Sequence, residues 1–272
     1  MKNCSGEKFK IGIKLKKGKN LKKILYIFLT LSVITACNKE DAPDCFQTAG
    51  DMVLQEIPVS EFEELIVHGR IKLFIKQGED HKVTIESGEN LINEVSAEVE
   101  NGRLSLRNEN DCNLFRDYEL TTAYVTVPNL TWLQNAGNRT IESVGELNFP
   151  GIWLRSFNQE KDSEIYTNGD FRMNLISDNI RITTDGYSNF FLSGEVGYFD
   201  VYIADDDSRV EAAELVAQTV EIQHRGTNKI IVNPQQVLKG EIRSTGDVIS
   251  VNRPVTVDVE TFYTGNLIFQ NP

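Results

Sequence analysis

The C-terminal half of the chain repeats one hydrophobic pattern at intervals of about 20 residues. Turn residues recur at Gly186, Asp206, Gly226, Gly246 and Gly265. A short apolar strand is predicted after each turn, and the first residues of these strands are Phe190, Val210, Ile230, Ile249 and Ile268. The unit is too short for a pair of helices but matches one coil of a β-solenoid, whose stacked coils share one interior. We therefore expect Phe190, Val210, Ile230 and Ile249 to form a single interior row.

The N-terminal half alternates apolar and polar residues with a period of two, which indicates half-buried strands. Leu65 and Val67 share one side, and the pattern bends at Gly69. Asn101 and Gly102 mark a tight hairpin turn. The sequence predicts an all-β protein whose C-terminal part is a single-stranded right-handed β-helix with coils of about 20 residues. The N-terminal strands and hairpins, residues 53–134, are continuous with the repeat coils of residues 135–272, so that residues 53–272 form one domain.

The first predicted coils are longer than the later ones. If Ile141 and Ile165 begin strands, the extra length falls at residues 149–162 and 167–178. Extra residues in a solenoid coil bulge outward as loops, and such loops often lie on the binding face. Two histidines, His68 and His224, fall at positions that we expect to face outward.

Residues 1–36 have the pattern of a secretory signal peptide, with lysines at positions 16, 17, 19, 22 and 23 before an apolar run. The sequence Ile34-Thr35-Ala36-Cys37 resembles the lipobox of bacterial lipoproteins, which predicts acylation of Cys37 and a membrane anchor. Residues 37–52 would then be a flexible tether. The segment at residues 38–41 resembles a signal that sends Bacteroidetes lipoproteins to the outer face of the outer membrane. An ordinary tether on the periplasmic side is the alternative.

The charge and the cysteines limit the partners. The chain has a net charge of −12, and removing its basic leader makes it more acidic, so that phosphate backbones are repelled and nucleic acid is excluded as a partner. Cys45 and Cys112 remain after processing and acylation. Two leftover cysteines outside the cytoplasm more often pair than stay free, so that a disulfide between them is expected.

The strand pattern resembles a known family. The run Phe62-x-x-Leu65-x-Val67-x-Gly69-x-Ile71-x-Leu73, the hairpin Asn101-Gly102 and the segment Val125-x-Val127-Pro128 are similar to the head GIN domain family of auto-transporter adhesins, which is common among Bacteroidetes lipoproteins. The resemblance covers about residues 55 to 272. It implies a β-helical body and a surface or adhesive role, and it assigns no chemistry to any residue.

Four aromatic residues are candidates for ligand binding. Alternation turns Phe191 and Tyr202 outward, and Tyr187 and Tyr198 lie on nearby turns. Flat rings on a β surface stack on sugars, so these residues predict a shallow glycan-binding patch. Packing beneath loops or against a partner copy is the alternative.

Acidic residues at two turns are candidates for binding calcium. Asp185 would lie one coil away from Asp205, beside Asp206 and Asp207. Clustered carboxylates suit calcium, which takes six to eight oxygen ligands. Solvated surface charge is the alternative, and no other cofactor is expected.

Three functions follow from these observations. We expect a non-enzymatic surface lipoprotein that binds a glycan or a surface protein, because the sequence contains no catalytic motif. The alternative is an envelope protein that assembles with itself through an exposed strand edge. A lyase-like enzyme using Arg209, Arg225 and the Asp205 to Asp207 run rests on fold analogy alone. The sequence leaves the oligomeric state open.

Overall fold

A computed structural model describes residues 48–110 and 121–270, and these residues form an all-β structure. The N-terminal strands are β1 Met52–Ile57, β2 Glu64–Gly69, β3 Lys72–Gln77, β4 Lys82–Gly88, β5 Val95–Glu100, β6 Arg103–Asn108, β7 Thr122–Val127, β8 Trp132–Gly137 and β9 Ile141–Asn148. The later strands are β10 Gly151–Ser156, β11 Phe171–Thr184, β12 Asn189–Ile203, β13 Arg209–His224, β14 Ile230–Ile242, β15 Val248–Ser250, β16 Thr256–Thr261 and β17 Leu267–Phe269. A short 3-10 turn, Ile92–Glu94, precedes β5. Within these residues, no helix has the length and hydrophobicity needed to cross a membrane.

The strands form two continuous ladders. The first ladder runs β1-β4-β7-β3-β9, continues through the first parts of β11, β12, β13 and β14, and ends with β15 and β17. The second ladder runs β5-β6-β2-β8-β10, continues through the second parts of the same four strands, and ends with β16. Pairing is antiparallel for β1 with β4, β4 with β7 and β5 with β6, and parallel elsewhere.

Parallel pairing from β11 onward repeats the register that the sequence predicts. Phe171, Phe190, Val210, Ile230, Val248 and Leu267 are successive partners in the first ladder. The turn residues of the pattern all lie between strands. The interior row is confirmed for Phe190, Val210 and Ile230, which are fully buried. It is wrong for Ile249, because Val248 occupies that place and Ile249 pairs with Ile231 in the adjacent, outward row. Because Val248 and Ile249 are both apolar, the alternation pattern cannot tell which of the two faces the interior.

The crossing from the first ladder to the second falls at one residue in each of three coils. Asp178, Gly197 and Gln218 are skipped by the pairing on both sides. A Cβ on Gly197 would lie 2.8 Å from the carbonyl oxygen of Asp178, so the coils approach each other closely here. Side chains continue to alternate on either side of the crossing, and those of both halves fill one core.

The extra length of the early coils falls only partly where it was expected, at residues 157–162 and 167–170. Residues 149–156 mostly form strand β10, and β11 begins at Phe171, so the loop spans residues 157–170. Ile165 begins no strand and lies in this loop. The Asn158 side chain donates to the carbonyl oxygens of Asp162 (2.8 Å) and Ile165 (2.9 Å) and fixes the loop internally. The repeat pattern predicted a strand at Ile165 because that residue is apolar, whereas the strand begins at Phe171.

The bend at Gly69 and the hairpin at Asn101 and Gly102 are confirmed, since all three residues have positive φ. The outward placement of the two histidines is wrong. His68 is buried, and its Nδ1 lies 3.4 Å from the carbonyl oxygen of Glu164 in the 157–170 loop. His224 occupies an interior position between Ile203 and Ile242, two residues after the buried Ile222 on the same side of β13.

Candidate functional site

The four aromatic candidates do not form one patch. Phe191 lies in the outward row of the first ladder, whereas Tyr198 and Tyr202 lie on outward positions of the second ladder. Tyr187 is on the turn before β12, with 62% of its surface exposed. The glycan-binding role of all four residues stays a prediction, and only Phe191 lines the largest cavity described.

The cavity beside Phe191 exists because the neighbouring strands carry extra residues. The pairing of β11 with β9 shifts between Arg172 and Asn174, and that of β12 with β13 shifts between Phe191 and Ser193. Extra residues make a strand bow away from its partner. A groove of about 470 Å³ opens at this point, and its lining includes Ser143, Arg172, Asn174, Phe191, Ser193, Glu211 and Glu214.

The groove combines an aromatic wall with hydrogen-bonding groups. The guanidinium carbon of Arg172 lies 4.0 Å from the centre of the Phe191 ring. The Asn174 amide N–H donates to Ser143 Oγ over 2.9 Å, which ties β11 to the bowed strand β9. Met173 and Leu192 are buried at its base. An apolar floor with a few convergent polar groups is the usual composition of a small-ligand site.

Tyr198 is engaged within the protein. Its hydroxyl donates to the Glu221 carboxylate, which also pairs with Lys239 Nζ at 2.8 Å. The hydrogen bond from Lys239, followed by that from Tyr198, lowers the pKa of Glu221, and the bond to Glu221 raises the pKa of Tyr198. The Tyr198 hydroxyl proton is therefore used in the hydrogen bond to Glu221. The centre of its ring lies 5.6 Å from Lys239 Nζ.

The acidic residues predicted to bind calcium accept hydrogen bonds that stabilise turns and loops. Both Asp185 carboxylate oxygens accept from the Asn158 amide N–H, at 3.1 and 2.9 Å, and burial raises the pKa of Asp185. Asp207 accepts from the Thr227 hydroxyl at 2.7 Å, and Asp205 accepts from the amide of Asp206, whose φ is 59°. In residues 48–110 and 121–270, no three His, Cys, Asp or Glu side chains are grouped for a metal ion. Calcium binding stays a prediction.

Of the basic residues of the lyase hypothesis, Arg209 forms an ion pair with Glu211. Cys37, Cys45 and Cys112 lie outside the described residues, so acylation and the disulfide stay predictions.

The sequence reasoning missed a second feature, on the second ladder. Trp132 of β8 pairs directly with Trp153 of β10. Arg103, Arg155 and Arg181 lie against these two indoles, and we call the five residues the arginine–tryptophan stack. The signal was available, because the two tryptophans are one coil length apart in the sequence.

Solved structures share this fold. A crystal structure of a putative adhesin from Bacteroides fragilis matches with a TM-score of 0.70 and 14% identity, covering 82% of this chain and 99% of that one. A putative adhesin from Parabacteroides merdae matches with a TM-score of 0.57 and 17% identity, covering 81% and 96%. A protein from Parabacteroides distasonis described as a putative lipid binding protein matches with a TM-score of 0.56 and 16% identity, covering 81% and 97%.

No curated protein sequence matches the chain. Residues 61–254 match the family described as "putative auto-transporter adhesin, head GIN domain". The matched region includes most of both ladders and all residues of the groove and of the arginine–tryptophan stack. The resemblance read from the strand pattern is thereby confirmed, and the chain belongs to this head GIN domain family.

Proposed function

We propose that this protein is a non-enzymatic adhesin that binds a glycan in the groove beside Phe191. The observation that carries the proposal is the pairing of a half-buried aromatic wall with polar groups in one cavity of about 470 Å³. That volume falls within the roughly 300–1,000 Å³ usual for small-ligand sites. A sugar ring stacked on Phe191 would receive hydrogen bonds from Asn174 and donate them to Glu214.

The family description supports an adhesive role at the cell surface. We propose that acylated Cys37 anchors the chain in the outer membrane, facing the exterior, and that Cys45 and Cys112 form a disulfide. The parallel coils with offsets of 17–21 residues support a β-solenoid as the display scaffold, for which we propose the right-handed sense.

The test is a glycan-array screen, followed by titration of the best ligand against wild type and two variants. Phe191→Ala removes the wall of the groove. Phe74→Ala is the matched control, because Phe74 is a half-buried phenylalanine in the same outward row, where it stacks on Tyr124 away from the groove.

We expect Phe191→Ala to weaken binding at least about tenfold, the loss typical of an aromatic anchor. Phe74→Ala should leave the affinity within about twofold of wild type. Equal affinities for wild type and Phe191→Ala would contradict the proposal, as would a wild-type protein that retains no glycan on the array.

The last described coil favours a second candidate function, self-assembly. Val255, Phe262, Tyr263 and Ile268 expose large apolar surfaces there, Val255 to 81%. Strands β16 and β17 have partners on only one side within the described chain. An exposed strand edge with apolar side chains is a template for pairing with another copy. Light scattering at rising concentration should then show oligomers that Ile268→Lys abolishes, and a concentration-independent monomer mass would exclude this function.

A further inference from the structure

In the arginine–tryptophan stack each guanidinium lies against at least one indole ring. Arg103 Cζ lies 4.4 Å from the Trp132 ring centre, and Arg155 Cζ lies 5.7 Å from the same centre. Arg155 Cζ also lies 4.9 Å from the Trp153 ring centre, with Arg181 Cζ at 4.7 Å from it. Arg155 therefore lies against both indoles, Arg103 against Trp132 and Arg181 against Trp153. Both tryptophans of the protein are used in this one place.

The stack stands on regular strands rather than on loops. Parallel pairing places Trp132, Trp153 and Arg181 in one row across β8, β10 and β11, and Arg155 lies two residues beyond Trp153. Trp153 Nε1–H donates to Thr183 Oγ1 over 2.9 Å, which fixes the indole. Trp132 is only 8% exposed, so the guanidiniums, not this ring, face an incoming ligand. The indoles orient the guanidinium planes, which cation–π contact favours.

Three positive charges are concentrated here on a chain of net charge −12. Arg103 is paired with Glu64 at 2.6 Å and Arg181 with Asp200 at 3.2 Å. Arg155, between them, forms no ion pair in the described structure, and its Nε is buried with no hydrogen-bond acceptor. Burial, followed by the positive charge of Arg103, lowers the pKa of Arg155; the Asp185 carboxylate opposes this shift, and Arg181 adds to it. An anion beside the Arg155 guanidinium would offset the repulsion from Arg103 and Arg181.

We propose that the arginine–tryptophan stack binds an acidic polysaccharide, with Arg155 as the central contact to a carboxylate. The planar guanidinium fork matches a carboxylate with two parallel hydrogen bonds. The three arginines lie on strands β6, β10 and β11 of one ladder, so a polymer that carries a carboxylate on each sugar could contact more than one of them. The acidic remainder of the surface would repel such a polymer and so confine it to this row.

A polysaccharide fits this row better than an acidic peptide. The guanidiniums are fixed by strands and indoles, so a stiff polymer with evenly spaced charges meets them with little loss of conformational freedom. An acidic peptide would have to order its backbone and its carboxylate side chains. The row lies on the second ladder, whereas the Phe191 groove lies on the first, so this inference stands independently of the proposed function.

The experiment is calorimetric titration of the full chain with polygalacturonate oligosaccharides at low and rising salt. Arg155→Gln removes the central guanidinium. Lys239→Gln is the matched control, because it removes one positive charge from the same ladder, where Lys239 pairs with Glu221. Thermal unfolding of each variant checks that the fold is kept, and Arg181→Gln provides a second test if Arg155→Gln unfolds.

Wild type should bind, and its affinity should fall as salt rises because the contacts are between charges. We expect Arg155→Gln to weaken binding about tenfold or more, and Lys239→Gln to change it less than about twofold. Phe191→Ala should bind polygalacturonate as wild type does, which separates this site from the groove. The proposal is overturned if wild type does not bind, if the two charge variants behave alike, or if polyglutamate binds as tightly as polygalacturonate.

Discussion

The rings of Phe171 and Phe190 stack with their centres 4.7 Å apart and their planes 8° apart. The two residues are direct partners in the parallel pairing of β11 with β12, so their side chains leave the backbone at equivalent places in consecutive coils. Both are completely buried. The stacking distance matches the spacing of neighbouring strands, about 4.7–4.9 Å. The hydrogen-bonded register of the strands therefore also determines how the core side chains pack.

Phe190→Ala should lower the free energy of unfolding by about 3–5 kcal/mol, because it removes a buried ring and leaves a cavity against Phe171 and Val210. Urea denaturation measures the change. Phe262→Ala is the control, since Phe262 is 49% exposed and should cost less than about 1 kcal/mol. Equal costs would mean that the interior row is not the core of the coils.

The register at β15 makes a prediction about two adjacent residues. Val248 is fully buried and Ile249 is half-buried in the outward row. Val248→Ala should cost about 2 kcal/mol of unfolding free energy, and Ile249→Ala about 1 kcal/mol or less, although the isoleucine loses more carbon atoms. Chemical denaturation of the two variants side by side provides the measurement. The reverse order would place Ile249 inside.

Two glycines with positive φ separate backbone strain from steric conflict. Gly194 has φ 111°, and a Cβ there would lie 2.1 Å from the carbonyl oxygen of Leu175. Gly102 has φ 78°, with no atom within 4 Å of such a Cβ. Gly102→Ala should therefore cost about 1 kcal/mol from strain alone, and Gly194→Ala about 3 kcal/mol or more, since β11 and β12 must move apart. Thermal melts that rank the two variants the other way round would argue against the close pairing at Gly194.

Folding stability should depend on the protonation of His224. Its Nε2 lies 2.9 Å from the carbonyl oxygen of Asn228, and Nδ1 accepts from the Gly226 amide. Burial lowers the pKa of His224, so the folded protein holds it neutral. The unfolded chain takes up a proton below about pH 6.5, which means that the His224 contribution is present above that pH and is lost as the pH falls toward the folded pKa.

The measurement compares the free energy of unfolding of wild type and His224→Gln at about pH 7.5 and 5.5. The advantage of wild type over the variant should shrink at the lower pH. His68, whose pKa is also lowered by burial, is present in both proteins and cancels in the comparison. An advantage that is constant with pH would mean that His224 is not buried as a neutral ring.

Most of the fold could be predicted from the sequence because stacking leaves a period in it. The turns near Gly186 and Gly226 and the alternation around Leu65 each reflect a local constraint of backbone and burial. The errors in predicted burial fall at positions where the local pattern is ambiguous. Adjacent apolar residues at Val248 and Ile249 fit either phase, and the polarity of His224 suggests exposure although its position two residues after Ile222 is interior.

The site was harder to predict, because it depends on which outward residues become neighbours across strands. Alternation correctly turned Phe191 outward, but the bulges that open its groove have no signal in the sequence of β12 itself. Tyr198 and Tyr202 share its strand yet lie beyond the crossing, on the other ladder. Trp132 and Trp153 come together only once β8 is known to pair with β10.

The near-constant offset between paired strands has one more consequence. The strand pairing of each coil from β11 to β14 is with the coil before it and the coil after it. Whole segments of about 20 residues can therefore be added or lost beyond β14 while the groove and the arginine–tryptophan stack are left intact. The length of the protein is thus set by the number of coils, whereas the two proposed binding sites are set separately by residues on earlier strands.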